Sequence, residues 1–154
     1  MGVDLDRRLG VHLLENRRTS GEMAVGKKMS LPIRPVELLG LKDTAEGVLI
    51  PHALNHNDKD TLFAGSLFSA AVIAGYRKAA ELLDNCGEVL VAKTCSINYR
   101  RPVSTEGAAR VLRVTDPFIK PNGNRTVTVV VGVFEGEALC AEFEGVYVQV
   151  PTAK

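Results

Sequence analysis

Residues 55–69 combine side chains that could carry out acid–base chemistry with a helix start that could bind an oxyanion. The segment begins as a polar loop and continues into an apolar run. In the loop, the imidazole of His56 could act as a general base, and the carboxylates of Asp58 and Asp60 could activate water. The amide of Asn57 cannot act as a base, but it could position a water molecule or a carbonyl group. Which of these groups is the base stays open.

The residues after the loop predict a helix, roughly 61–83, whose first turns have no polar face. The N–H groups at its start lack partners within the helix and point back toward the loop. They belong to Ala64, Gly65 and Ser66. Such a helix start can stabilise a developing oxyanion, and Gly65 has no side chain to block the approach of a substrate. The alternative interpretation is a core helix with Asp60 or Thr61 as its N-cap.

The composition argues against several classes of protein. The chain has 154 residues and 45% hydrophobic content, which suits a single domain with a core. Its formal net charge of +1 gives no strong attraction for nucleic acid or an anionic membrane. No apolar run reaches transmembrane length, and the N-terminus lacks the apolar region of a signal peptide. The three cysteines have no metal-binding spacing, so we expect reduced thiols in a cytoplasmic protein without a metal site.

The predicted elements run in the order two strands, one buried helix, four strands. Residues 1–34 predict a short amphipathic helix at 5–18 followed by a loose segment, and residues 35–154 predict the folded domain. The strands are predicted at 36–41, 47–54, 93–100, 107–115, 125–134 and 138–150. An antiparallel sheet curled around the helix satisfies this order, because a helix without a polar face must be surrounded by protein. The predicted fold class is therefore α+β.

Two motifs carry a resemblance to a known enzyme superfamily. They are Asn57-x-x-Asp60-Thr61-x-Phe63-Ala64-Gly65-Ser66 and Ser96-Ile97-Asn98-Tyr99-Arg100-Arg101-Pro102. Together with the element order, they resemble the hot-dog fold acyl-CoA and acyl-carrier-protein thioesterases. Within this superfamily, the chain is most similar to the thioesterase domain at the C-terminus of YiiD-type proteins. The resemblance covers about residues 35–150.

The resemblance implies a hot-dog fold and a homodimer, or a tetramer, with active sites at the subunit interface. It also implies an acyl-CoA or acyl-carrier-protein substrate, whose pantetheine is part of the substrate, and no separate cofactor. On this basis the residues assigned to catalysis are His56, Asn57, Asp60, Gly65 and Ser66. Those assigned to substrate binding are Thr61, Phe63, Ala64, Arg100 and Arg101. The two arginines could contact the phosphates of coenzyme A, and the alternative is that both are solvated side chains at the sheet edge.

The chain departs from the catalytic pattern of its relatives. Many hot-dog thioesterases have a histidine at the position of Phe63 and a carboxylate near Val72, and another branch has an aspartate at the position of Asn57. The YiiD-like loop has glycine where this chain has Asp60. Thioester hydrolysis is the leading hypothesis, and the missing carboxylates favour a non-catalytic module that binds acyl thioesters as the alternative. Hydroxyacyl dehydration would need a carboxylate in the helix, which the apolar residues around Val72 disfavour.

Overall fold

The described part of the chain forms one antiparallel sheet packed around a long helix. The structure is a computed structural model, and it describes residues 34–84 and 89–151. In chain order its elements are α1 (Arg34–Leu38), β1 (Lys42–Thr44), β2 (Gly47–Ile50), α2 (His52–Asn55), α3 (Ala64–Leu82), β3 (Val89–Tyr99), β4 (Gly107–Val114), β5 (Phe118–Ile119), β6 (Arg125–Glu135) and β7 (Ala138–Val150). The helix predicted at 5–18 and the loose segment after it lie outside the described residues. The domain division at residue 34 therefore stays a prediction.

The sheet has the strand order β1-β2-β4-β6-β7-β3, and β5 pairs with β6 beside this path. Every pair of neighbouring strands is antiparallel. Helix α3 packs against β2, β3, β4, β6 and β7, so the sheet curls around it. The predicted α+β class, with a curled antiparallel sheet around one central helix, is confirmed.

Alternate valines of β6 form much of the core between the sheet and α3, because successive side chains of a strand point to opposite faces. These fully buried residues are Val127, Val129, Val131 and Val133. On the neighbouring strand β7, the buried Tyr147 donates its hydroxyl hydrogen to the Val72 carbonyl at 2.8 Å. Burial raises the pKa of Tyr147, so its hydroxyl stays a donor. The helix passes close to this tyrosine at Gly75, where a Cβ would overlap the Tyr147 hydroxyl.

Arg125 of β6 binds the C-terminal end of α3. One guanidinium nitrogen donates to the Leu83 carbonyl at 2.9 Å and to the Gln149 side-chain oxygen at 3.1 Å. The positive charge therefore lies at the negative end of the helix dipole, where it is stabilising. Sheet side chains thus hold α3 in its middle and at its C-terminal end.

The segment before the long helix differs from the prediction. The strand predicted at 36–41 is wrong, because helix α1 occupies the first half of this range and no strand occupies the rest. Pro35 lies in the first turn of α1, where proline is favoured, and Gly40 follows the helix with a φ of 61°. The first strand is instead the short β1, which pairs with β2.

Other boundaries also differ: β3 begins at Val89, four residues before the strand predicted at 93–100, and the short β5 was not predicted. The strand predicted at 47–54 ends at Ile50, because Pro51 has no N–H for the sheet and is followed by α2. The helix predicted from residue 61 begins at Ala64. The N-cap residue is Phe63, and no side chain caps the helix, so the hypothesis that Asp60 or Thr61 is the N-cap is wrong.

Candidate active site

Asn57 organises the loop that leads to α3. Its side-chain oxygen accepts hydrogen bonds from the backbone N–H groups of Lys59, at 2.9 Å, and Thr61, at 3.1 Å. Its amide nitrogen donates to the Thr61 hydroxyl oxygen at 3.0 Å. Both ends of the Asn57 amide therefore bond within the loop. This arrangement makes Asn57 the residue that shapes the polar loop.

Two neighbouring segments fix the residues just before α3. The N–H of Leu62 donates to the Val103 carbonyl at 2.8 Å, and the N–H of Phe63 donates to the Asn55 carbonyl at 2.7 Å. The buried side chain of Asn55 in turn donates to two carbonyls of the preceding chain, each at 2.8 Å. They belong to Leu39 and Pro51. The start of α3 is therefore held by two segments, one that contains Asn55 and one that contains Val103.

The N–H groups of the first helical turn are not equivalent. The N–H of Ser66 donates to the Phe63 carbonyl at 2.9 Å, and the Ser66 residue is buried. For the N–H groups of Ala64 and Gly65, residues 34–84 and 89–151 provide no hydrogen-bond acceptor. Of the three donors that the sequence indicates, these two are free to bind a ligand.

Carbonyl groups of the same turn are bound by hydroxyl groups. The Tyr99 hydroxyl donates to the Ala64 carbonyl at 2.9 Å, and the Ser69 hydroxyl donates to the Gly65 carbonyl at 2.8 Å. The ring of Phe63 lies beside Gly65, where a Cβ would overlap it, and 57% of Phe63 is exposed. An exposed aromatic ring therefore borders the free N–H group of Gly65.

Two histidines and an aspartate lie together beside the loop. The Nε2 atom of His52 lies 2.9 Å from the Asp60 carbonyl oxygen and 3.4 Å from Asp60 Oδ1. The rings of His52 and His56 are stacked, with centroids 5.3 Å apart and an interplanar angle of 17°. The structure thus brings His56 to the face of the His52 imidazole and Asp60 to its Nε2 edge, and both residues were indicated by the sequence.

Sequence reasoning did not assign His52 to the site, because it placed this residue in a strand. In the structure His52 begins helix α2, and His56 is the residue that follows the helix. Residues four positions apart lie on the same face of a helix, so their spacing was the available signal. Asp60 has a left-handed backbone, with a φ of 61°, at the position where the YiiD-like loop has glycine, but the spacing of His52 and Asp60 gave no signal of their contact.

Arg100 and Arg101 have different acidic neighbours, Glu142 for Arg100 and Glu135 for Arg101. Tyr99 points toward α3, and successive residues of an extended chain alternate between the faces of a sheet. Arg100 accordingly forms an ion pair with Glu142 at 3.1 Å, and Glu142 also lies 3.5 Å from Arg113. Arg100 is thus engaged on the sheet face that points away from α3.

Glu135 holds the segment that follows Arg101. One of its carboxylate oxygens accepts hydrogen bonds from the N–H of Ser104 at 2.7 Å, the N–H of Thr105 at 2.8 Å and the Thr105 hydroxyl at 2.9 Å. The bond from the Thr105 hydroxyl is the main cause that lowers the pKa of Glu135, and the charge of Arg101 adds to it. The same segment contains Val103, whose carbonyl binds the residue before the helix.

Within the described ranges, no group of three or more His, Cys, Asp or Glu side chains is placed to hold a metal ion. Those residues also include no helix long and apolar enough to cross a membrane. Of the three cysteines, Cys95 is exposed on β3, Cys140 is buried, and Cys86 lies outside the described residues.

Several solved structures are similar to this chain. A protein from Shewanella oneidensis, described as a "putative thioesterase", has 27% sequence identity and a TM-score of 0.62, over 77% of this chain and 89% of that chain. A thioesterase from Haemophilus influenzae has 19% identity and a TM-score of 0.59, over 75% and 81% of the two chains. A Bacillus halodurans protein crystallised with CoA has 14% identity and a TM-score of 0.62, over 97% and 93%. The last two likenesses concern the fold alone.

No curated protein matches the chain. A family model does match residues 25–151, and this family is described as "Putative thioesterase (yiiD_Cterm)". The match includes the polar loop, α3 and all seven strands of the sheet. The chain therefore belongs to the YiiD C-terminal thioesterase family.

Proposed function

We propose that this protein hydrolyses acyl thioesters of coenzyme A or acyl carrier protein at the N-terminal end of α3. In the proposed reaction, the oxygen of a water molecule attacks the thioester carbonyl carbon and a general base accepts the water proton. The carbon–sulfur bond then breaks, the sulfur leaves as a thiolate that takes up a proton, and a carboxylic acid is released. The reaction uses no metal ion and no separate cofactor, and we place it in the cytoplasm.

The observation that carries the proposal is the pair of free N–H groups at Ala64 and Gly65. They lie at the positive end of the helix dipole, where a developing oxyanion is stabilised. Gly65 leaves its N–H accessible once the Phe63 ring moves aside, and Phe63 is exposed enough to do so. A single oxyanion donor is typically worth about 2.7–4 kcal/mol of activation free energy.

We assign the general base to Asp60, with His56 as the alternative within the same cluster. The Asp60 side chain is 84% exposed and therefore open to water and substrate. Asn57 supports the site indirectly, since its amide shapes the loop, and Thr61 takes part in the same hydrogen bonds. Ser66 stabilises the first turn of α3, because its N–H donates a hydrogen bond to the Phe63 carbonyl.

For the substrate, we assign the exposed ring of Phe63 to the wall beside the reacting carbonyl. Of the two arginines, Arg101 is the better candidate for a phosphate of coenzyme A, because Arg100 is paired with Glu142. Arginine suits phosphate recognition because its planar guanidinium can donate two parallel hydrogen bonds.

We further propose a homodimer, formed through the edge strand β3, as the active unit. All residues of β3 except Leu90 and Ile97 are exposed, and no strand of the described chain pairs with its outer side. A long edge strand with free N–H and C=O groups readily pairs with a second copy. Sedimentation of the wild type should give a dimer, and Ser96→Lys should weaken it by placing like charges across the paired strands.

The competing function is a module that binds acyl thioesters without cleaving them. One argument for it is that the Asn57 amide already forms hydrogen bonds within its own loop. The other is that Val72 is apolar at a position where many hot-dog thioesterases carry a carboxylate. Such a module would bind acyl-CoA with no release of free CoA.

The deciding experiment measures release of free CoA from acetyl-, hexanoyl-, palmitoyl- and benzoyl-CoA. The wild type should cleave at least one of these, and Asp60→Asn should lower kcat at least tenfold, as expected on loss of a general base. Activity that disappears with a chelator and returns with zinc would contradict the proposed mechanism. Binding of all four compounds without cleavage would establish the competing function.

A further inference from the structure

The backbone of Asp60 has a conformation that residues with side chains rarely adopt. Its φ of 61° lies in the left-handed region, which favours glycine and tolerates Asp and Asn better than other residues. The peptide groups of this residue are held by two hydrogen bonds. The N–H donates to the Asn57 carbonyl at 3.1 Å, and the carbonyl accepts from His52 Nε2 at 2.9 Å. Backbone strain that is held in this way points to a function.

The bond to the Asp60 carbonyl requires a hydrogen on Nε2 of the His52 ring. A carbonyl oxygen can only accept, so the proton must be on Nε2 of His52. The same nitrogen lies 3.4 Å from Asp60 Oδ1, so it is close to both the backbone and the carboxylate of Asp60. One face of the His52 ring is covered by His56. Only 27% of the His52 side chain is exposed, against 84% for Asp60, so a largely covered imidazole holds an exposed carboxylate.

We propose that His52 is a positioning residue that directs the carboxylate of Asp60 for its role as general base. This inference rests on the proposed function, in which Asp60 accepts the proton of the attacking water. His52 does not touch the substrate. It keeps the Asp60 peptide in the left-handed conformation and limits the directions in which Oδ1 can point. Correct placement of the base matters, because a displacement of about 1 Å can lower a rate by roughly a hundredfold.

The first test compares the hydrolysis of hexanoyl-CoA, or of the best substrate among the four acyl-CoAs, by the wild type, His52→Ala and His52→Gln. Alanine removes the donor, whereas glutamine offers an N–H at about the position of Nε2. We expect kcat of His52→Ala to fall about tenfold or more with KM unchanged, and His52→Gln to recover most of it. Thermal unfolding midpoints, measured for each variant, serve as the control that the variants are folded. Wild-type kcat in His52→Ala, or no recovery in His52→Gln, would overturn the proposal.

A double-mutant cycle separates positioning from a general structural effect. If His52 acts through Asp60, the double variant His52→Ala/Asp60→Asn should be as slow as Asp60→Asn alone. If the double variant instead shows the product of the two single-variant reductions in kcat, His52 acts independently of Asp60, and the proposal is overturned. Lys59→Gln changes a charge in the same loop and should keep wild-type kcat.

A spectroscopic readout does not depend on activity. Long-range ¹H–¹⁵N spectra of the wild type should show His52 with its proton on Nε2, and Asp60→Gly, which lacks the carboxylate, should keep that tautomer through the backbone carbonyl. A proton on Nδ1 would overturn the inference by itself. Failure of the wild type to cleave any acyl-CoA would instead refute the proposed function and, with it, the catalytic role of the pair.

Discussion

The hydroxyl of Tyr99, the last residue of β3, donates to the carbonyl of Ala64, the first residue of α3, at 2.9 Å. Residues 35 positions apart in sequence are thereby joined at the proposed oxyanion site. Burial raises the pKa of Tyr99, so its hydroxyl is a donor throughout the neutral range. The edge strand thus holds the helix start that carries the two free N–H groups.

Tyr99→Phe should lower the free energy of unfolding by about 1 kcal/mol, the usual net value of one hydrogen bond. It should also lower kcat several-fold, because the first turn loses a fixed contact. Chemical denaturation and acyl-CoA hydrolysis measure the two effects. Phe keeps the ring in place, so a variant with wild-type stability and kcat would show that the bond has no role in solution.

Gly65→Val should lower kcat/KM by roughly a hundredfold, because its side chain would occupy the space in front of the donor group. Gly65→Ala should give a smaller loss. Neither variant should unfold the helix, because the overlap is with the exposed ring of Phe63, which can rotate away. Circular dichroism checks the helix, and a fully active Gly65→Val would place the reacting carbonyl elsewhere.

Gly75→Ala should destabilise the protein without a direct effect on the site. A Cβ at Gly75 would overlap the Tyr147 hydroxyl and break its bond to Val72. Overpacking of this kind costs about 1–3 kcal/mol, which thermal or urea denaturation can measure. Tyr147→Phe in the same background should recover part of the loss, since it removes the overlapping oxygen. No recovery would mean that the strain lies elsewhere.

Glu135→Gln should remove a pH-dependent part of the stability. The folded-state pKa of Glu135 is lowered from its ordinary value of 4.5, so the folded protein favours the ionised form. Its stabilising effect is fully present above the unfolded-state pKa and is lost as the pH falls through the folded-state pKa. Wild type and variant should therefore differ most near neutral pH and converge in acid, as the pH falls below the folded-state pKa. The exposed Glu137→Gln is the control, and an equal difference at every pH would contradict the assignment.

The buried helix could be predicted because its pattern is local. A run of apolar residues from Phe63 onward has only one explanation in a protein of this size, and the β-branched strands around it supply the sheet. The segment at 36–41 could not be predicted, because α1, with five residues, and β1, with three, are too short for an alternation of apolar and polar residues to be recognised. Their structure is set by Pro35, Gly40 and the contacts with β2.

The types of residue in the site could be predicted, but their contacts could not. The spacing of Asn57 and Thr61 is typical of a side chain that bonds to its own loop, yet the sequence cannot indicate that both the oxygen and the nitrogen of the amide form hydrogen bonds there. The pairing of His52 with Asp60 requires a left-handed residue at position 60, where the YiiD-like loop has glycine, but nothing in the sequence indicates that His52 contacts it. Strand alternation could not have separated Arg100 from Arg101, because both follow the end of β3 and both N–H groups donate to the Cys140 carbonyl.

Helix α3 is held by side chains of the sheet at three levels: by Tyr99 at its start, by Tyr147 near its middle and by Arg125 at its end. A shift along its axis would break all three bonds at once. The amide hydrogens of its buried turns should therefore exchange with solvent only when the whole domain opens. Those of β1, whose three residues are all exposed, should exchange through local opening many times faster.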